Sequence, residues 1–154
     1  MRMLSSEVVD FIQGGQDARI ATSNATREPY GCRVLAAVAD DDGAHLTVFV
    51  PEAAAPPILA NLRANPAVAL AFQRPTDDRA CQVKGTVVET RAATDHERAI
   101  VERQLGLLGE KFGELTVPWV MVAGWTTWPA VAVMVRVSAV FDQTPGPGAG
   151  APLS

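Results

Sequence analysis

The sequence is poor in several residue types, and each shortage excludes something. Cysteine occurs twice in 154 residues. Two thiols make no disulfide framework, so Cys32 and Cys81 are expected as free thiols in a reducing cytoplasm, and stability must come from a packed core. Basic residues are in the minority: 13 Lys and Arg stand against 17 Asp and Glu, a net charge of −4. That balance lacks the footprint of a nucleic-acid binder and the polybasic patch of a membrane anchor. Long apolar runs are missing too. Val131–Val135 is far shorter than a membrane span. Glu7 and Asp10 interrupt the apolar stretch within Met1–Gln13, unlike a signal peptide. Of the two histidines, neither His45 nor His96 has the neighbouring ligands that a metal site needs. Asp40-Asp41-Asp42 lacks the alternating carboxylates and closing Glu of a calcium loop, so no metal is expected. Neither a Gly-rich phosphate loop nor a serine elbow is present.

What is there is an ordinary globular composition, 48% hydrophobic, of a length that suits one domain. We read residues 1–142 as that domain and residues 143–154 as a Pro/Gly-rich tail that cannot join a core. Ser5 or Ser6 caps a first helix with Val8, Val9, Phe11 and Ile12 on one face, and Gly14-Gly15 ends it. Ala18–Thr22 reads as a strand, Asn24–Glu28 as a turn, and Tyr30–Ala39 as a strand covered on both faces. Asp40–Gly43 has the chemistry of a hairpin turn, with His45–Val50 as the returning strand. Glu52–Asn65 reads as a helix with Pro56 or Pro57 in its first turn and Ala55, Leu59 and Leu62 as its apolar stripe. Val68–Phe72 and Ala80–Thr90 follow as strands, and Gly85 inside the second marks a bulge or a close backbone approach. Thr94-Asp95-His96-Glu97 is a capping box for a helix to about Leu108, with Val101, Leu105 and Leu108 on one face. A short helix near Val117–Ala123 precedes a last strand, Ala130–Phe141. The order predicts a mainly β protein with peripheral helices: a six-stranded antiparallel barrel or sandwich rather than a doubly wound parallel sheet.

The residues that make the chain recognisable are Ala18–Thr22 with Glu28-Pro29-Tyr30, the Asp-Gly hairpin, Leu46–Val50, Leu62–Leu70 with its Asn65-Pro66 stop, and Gln82–Val88 with Lys84-Gly85. In this order and spacing they resemble the pyridoxamine 5′-phosphate-oxidase-like FMN-binding split barrels. Arg74–Arg79 and the tail from Asp142 resemble one uncharacterised bacterial branch. The resemblance implies a split β-barrel, a homodimer with cofactor sites at the subunit interface, and FMN as cofactor, with F420 or haem in some branches. It also implies flavin-dependent oxidation or reduction of a small molecule. On this reading the cofactor-binding candidates are Arg33 and Val34 in the second strand, Phe49 and Val50 beside the ring, Arg74, and Gln82 with Lys84 on one strand face. No catalytic residue is assigned.

The match to the family's phosphate clamp is partial. Cys32, not Arg33, stands three residues after Pro29, where the family's phosphate-binding arginine more often lies. A one-residue slip turns a side chain to the other face of a strand, so either a bulge brings Arg33 round or it points away. Pro56, Pro57 and Ile58 occupy the positions of the usual Ser/Arg-Lys cluster, and no basic residue lies between Arg33 and Arg63. Arg74, Arg79 or Lys84 are the replacement cations, and pyridoxamine-phosphate oxidation itself is not expected. The alternative is a non-catalytic dimer that has lost flavin or takes F420 or haem. Ordinary core packing competes with the cofactor role for Phe49 and Val50. Trp119, Trp125 and Trp128 line either a ring pocket or an interface, or join the core.

Overall fold

The run read as one strand, Tyr30–Ala39, is two strands at opposite edges of one sheet. In the computed structural model, which describes residues 3–118, 120–125 and 127–153, β1 (Asp17–Ser23), β2 (Pro29–Val34), β3 (Ala36–Ala39), β4 (His45–Pro51), β5 (Ala67–Gln73), β6 (Ala80–Ala92) and β7 (Ala130–Asp142) form an antiparallel sheet in the order β2-β1-β5-β6-β7-β4-β3. Seven strands therefore replace the expected six. β2 and β3 are the two edges, yet Leu35 alone separates them, and its N–H donates to the Phe49 carbonyl at 2.8 Å. Consecutive Cα atoms are about 3.8 Å apart, so the edges must meet and the sheet must curl. The entry to β2 is exposed at Pro29, Tyr30 and Gly31, against the expectation of cover on both faces. It is an edge, and among the described residues β1 is the strand hydrogen-bonded to it.

The helices fill the curl. Ser5 Oγ accepts from the Val8 N–H at 3.3 Å and starts α1 (Ser6–Ile12). A 3₁₀ turn, Glu52–Ala54, leads into α2 (Ala55–Ala64), whose two prolines stand at its first positions, where a missing donor costs nothing. Its buried face is Ala55 and Ile58; Leu59 and Leu62 are only half-buried at the margin. Phe11, Ile12 and Ile58 join Ile20, Val48, Leu70, Phe72, Val83 and Val135 in the main core inside the curl.

A second, smaller core lies outside it. Phe49, Ala130 and Ala132 face outward from β4 and β7 and pack with Leu35 and Ala36 against Val101 of α3 (Asp95–Glu114). Gln104, a polar residue the apolar stripe passed over, is buried there. Its amide donates to the Ala37 carbonyl at 2.8 Å and accepts from the Ala37 N–H at 3.0 Å, so a side chain completes the β3 edge. α3 runs six residues beyond Leu108, through Gly109 and Gly113. Lys111 anchors the extension by donating to the carbonyls of Gly14 (2.6 Å) and Gly15 (3.1 Å). α4 (Val120–Ala123) is shorter than expected, and no helix among the described residues is long and apolar enough to cross a membrane. The tail turns back: the Asp142 N–H donates to the Ala151 carbonyl and the Leu153 N–H to that of Val140, both at 2.8 Å, while most of its residues stay exposed.

The expectations for Gly43 and Gly85 hold. Gly43 closes the β3–β4 hairpin at φ +63°. At Gly85 a Cβ would lie closer than 3.0 Å to the Arg136 carbonyl oxygen and to Val135, beside a break in the β6–β7 register. Gly85→Ala is therefore expected to lower stability by about 1–3 kcal/mol, read from a denaturant midpoint, because the clash is with backbone that cannot swing away. The capping box also forms, the Thr94 hydroxyl accepting from the Glu97 N–H and Glu97 from the Thr94 N–H. Hydrogen bonds from Arg91 hold the Glu97 carboxyl at about 2, below its ordinary 4.5. A depressed carboxyl stabilises the fold above its unfolded value, and that contribution is lost as pH falls from about 4.5 to about 2. Glu97→Gln should cost about 0.5–1 kcal/mol at neutral pH. Unfolding curves of variant and wild type should converge near the bottom of that range.

Candidate functional site

α3 covers the outer face of β3, β4 and β7, and leaves that of β2, β1, β5 and the first half of β6 bare among the described residues except at Arg33, which Trp125 overlies. Strand alternation decides which side chains stand there. Two cross-strand rows run over it. One is Arg33, Arg19, Ala71, Gln82 and Phe141; the next is Gly31, Ala21, Ala69, Lys84 and Ala139. The middle of the face is thus a floor of glycine and alanine. A shallow groove of about 520 Å³ lies along it, bordered by Lys84, Thr86 and Ser138. A second, of about 350 Å³, lies toward Asp17, Arg19 and Gln73.

The charged groups sit at the two ends of this floor. Lys84 is exposed, and its Nζ lies 5.3 Å from the centroid of the Phe141 ring, with no carboxylate partner among the described residues. One strand, β5, stands between its strand and that of Arg19, a separation of about 10 Å across the sheet at the usual strand spacing. Arg19 and Arg33 both bond the same oxygen, Oδ1 of Asp17, Arg33 at 2.7 Å. Trp125 lies over Arg33, whose guanidinium carbon is 3.5 Å from the ring centroid. Burial pushes the Arg33 guanidinium below its ordinary value, and Asp17 opposes that shift.

The sequence candidates divide sharply. Arg33, Gln82 and Lys84 come together on the bare face. The β1–β2 pairing is unbroken, with Ile20 opposite Cys32 and Arg19 opposite Arg33, so no bulge turns Arg33 round. Cys32 packs against the core and Arg33 emerges on the other side. Val34 and Val50 are buried in the main core, and Phe49 in the second. Arg74 is held in the β5–β6 turn by both oxygens of Asp77, at 2.9 and 2.7 Å. Arg79 bonds Glu7 at 2.7 Å and stacks on Phe11. These two cations clamp the hairpin to α1. Pro56 and Pro57 bring no donor to the start of α2. Cys81 is buried, and burial raises its thiol to about 12; Cys32 is shifted the same way. Trp128 packs at the edge of the second core, and Trp119 lies outside the described residues. Arg19 and Asp17 were not among the site candidates. The alternation of Arg19 with buried Ala18 and Ile20 was the available signal.

No family profile matches the sequence, and no curated protein matches it. Solved structures do match its fold. HupZ of Group A Streptococcus superposes with a TM-score of 0.59 at 19% identity, covering 97% of this chain and 99% of that one. An F420 reductase gives 0.53 at 21%, covering 85% and 93%. An FMN-binding protein from Syntrophomonas wolfei gives 0.54 at 9%, covering 87% and 82%. With its curled antiparallel sheet and peripheral helices, the chain has the split-barrel fold of the pyridoxamine 5′-phosphate-oxidase-like, FMN-binding proteins.

Proposed function

We propose that the chain is an FMN-binding flavoprotein that works as a homodimer, with the flavin held between the bare sheet face and a second copy. The observation that carries this reading is the composition of that face: a floor of Gly31, Ala21, Ala69 and Ala71 with cations at both ends. Small side chains let a flat ring approach the backbone closely, and a second subunit supplies the missing cover. Gln82 brings an amide suited to a ring carbonyl. Lys84 and the Arg19–Arg33 pair bring charge suited to a phosphate. The residues therefore fit the group. When bound, the flavin supplies electron exchange with a small molecule; the chain orients it, excludes water and sets the local charge. Pyridoxamine phosphate is not the substrate this face favours, because Arg74 and Arg79, the other cations considered, are engaged with Asp77, Glu7 and Phe11.

A second reading has its own support. Asp17 already balances Arg33, and prolines stand where the family's basic cluster lies. On that reading the chain is a dimer that has kept the fold and lost the flavin. Absorbance of the purified protein, an FMN titration and sedimentation separate the two. The flavin reading expects a flavin band, saturable FMN binding and a dimer. It also expects Lys84→Ala to weaken FMN by roughly tenfold or more, the loss of one charge-assisted contact. A dimer that neither carries nor binds flavin selects the second reading.

A further inference from the structure

Trp125 stands where an anion would approach Arg33. Among the described residues the guanidinium has one carboxylate partner, Asp17, and lies against the indole with 3.5 Å to the ring centroid. Phe112, near the end of α3, meets Trp125 edge-on at 6.0 Å with an interplanar angle of 83° and backs it. The indole is carried on the segment that follows α3. The backbone bonds of Leu115, Thr116, Val117 and Met121 stay within the segment or return to the end of α3. Val120 and Met121 expose 80% and 66% of their surface. The contact with Arg33 ties the indole to the sheet, and it falls on the arginine of β2 at the end of the alanine floor. Arg19, bonded to the same carboxylate, carries no such cover and is 48% exposed.

We propose that Trp125 is an internal competitor for the anionic end of the ligand: the indole and the ligand's phosphate occupy the Arg33 guanidinium in turn. This rests on the flavin reading for the identity of the ligand, and it adds a device to the site. The indole must leave the guanidinium before Arg33 can serve a phosphate, so part of the binding energy is used to displace it. Removing the indole then frees the arginine and tightens binding. A ring-stacking role for Trp125 predicts the opposite sign.

The test is an FMN titration, read by flavin fluorescence at fixed salt, on wild type, Trp125→Ala, Arg33→Ala and the double variant, each matched by circular dichroism. Trp125→Ala is expected to tighten FMN between about threefold and thirtyfold, the range of a cation–π contact, and the gain should vanish in the Arg33→Ala background. Unchanged or weaker binding overturns the proposal, as does a gain that persists without Arg33. Inorganic pyrophosphate, which absorbs no visible light, gives an arm independent of flavin. It should change the tryptophan emission of wild type and leave Trp125→Phe and Arg33→Ala unchanged. No response there overturns the competition even where FMN binds. A response from a protein that binds no FMN retires the flavin reading and leaves the competition standing.

Discussion

The structure depends on a single-residue link. Leu35 joins the last residue of one edge strand to the first residue of the other. A sheet whose edges are tied by one residue cannot lie flat, and the native right-handed twist supplies the rest of the curvature. The usual hazard of open edges is met at the same place. Leu35 bonds back to Phe49, and Gln104 from α3 satisfies both backbone groups of Ala37. The bulges on β6 and β7, one of them beside Gly85, take up the bend on the opposite side.

Closure divides the molecule into an inside and two unequal outsides. Inside, branched residues of β1, β4, β5, β6 and β7 meet the apolar faces of α1 and α2. Outside, Phe49, Ala130 and Ala132 need cover, and α3 provides it. The remaining outer face needs no such cover, because its central positions are alanine and glycine and its border is charged. It is bare for a compositional reason, and its smallness makes it a surface that a flat ligand or a second chain could approach closely. The charge at its Arg33 end is met by Asp17 and overlain by Trp125, whereas Lys84 at the other end has no carboxylate partner among the described residues. That asymmetry is the most distinctive property of the site.

Much of this was legible in order and much was not. The capping box at Thr94, the Asp-Gly hairpin and the alternation of β1 rest on interactions within a few residues, and each appears where its residues demand. The placement of Gln82 and Lys84 on one face followed from the strand period alone. Phe49 and Val50 could not be assigned in advance, because β4 is buried on both sides and period two then carries no contrast between core and site. The extension of α3 past Gly109 was hidden for a different reason: glycine lowers helix propensity locally, and the compensating anchor from Lys111 to Gly14 and Gly15 is almost a hundred residues away in sequence.

By itself the sequence determined the succession of helices, hairpin and strands, the absence of a basic or disulfide-built character, and the family of folds those segments resemble. These are properties of local spacing and composition, and local spacing survives without a third dimension. Tertiary structure alone decided that one apolar run would serve both edges of a sheet, that Arg33 would face outward with Arg19 rather than inward with Cys32, and that an indole ninety-two positions later would lie across it. Each of those outcomes is a meeting of distant segments, set by how a closed sheet must be packed and covered.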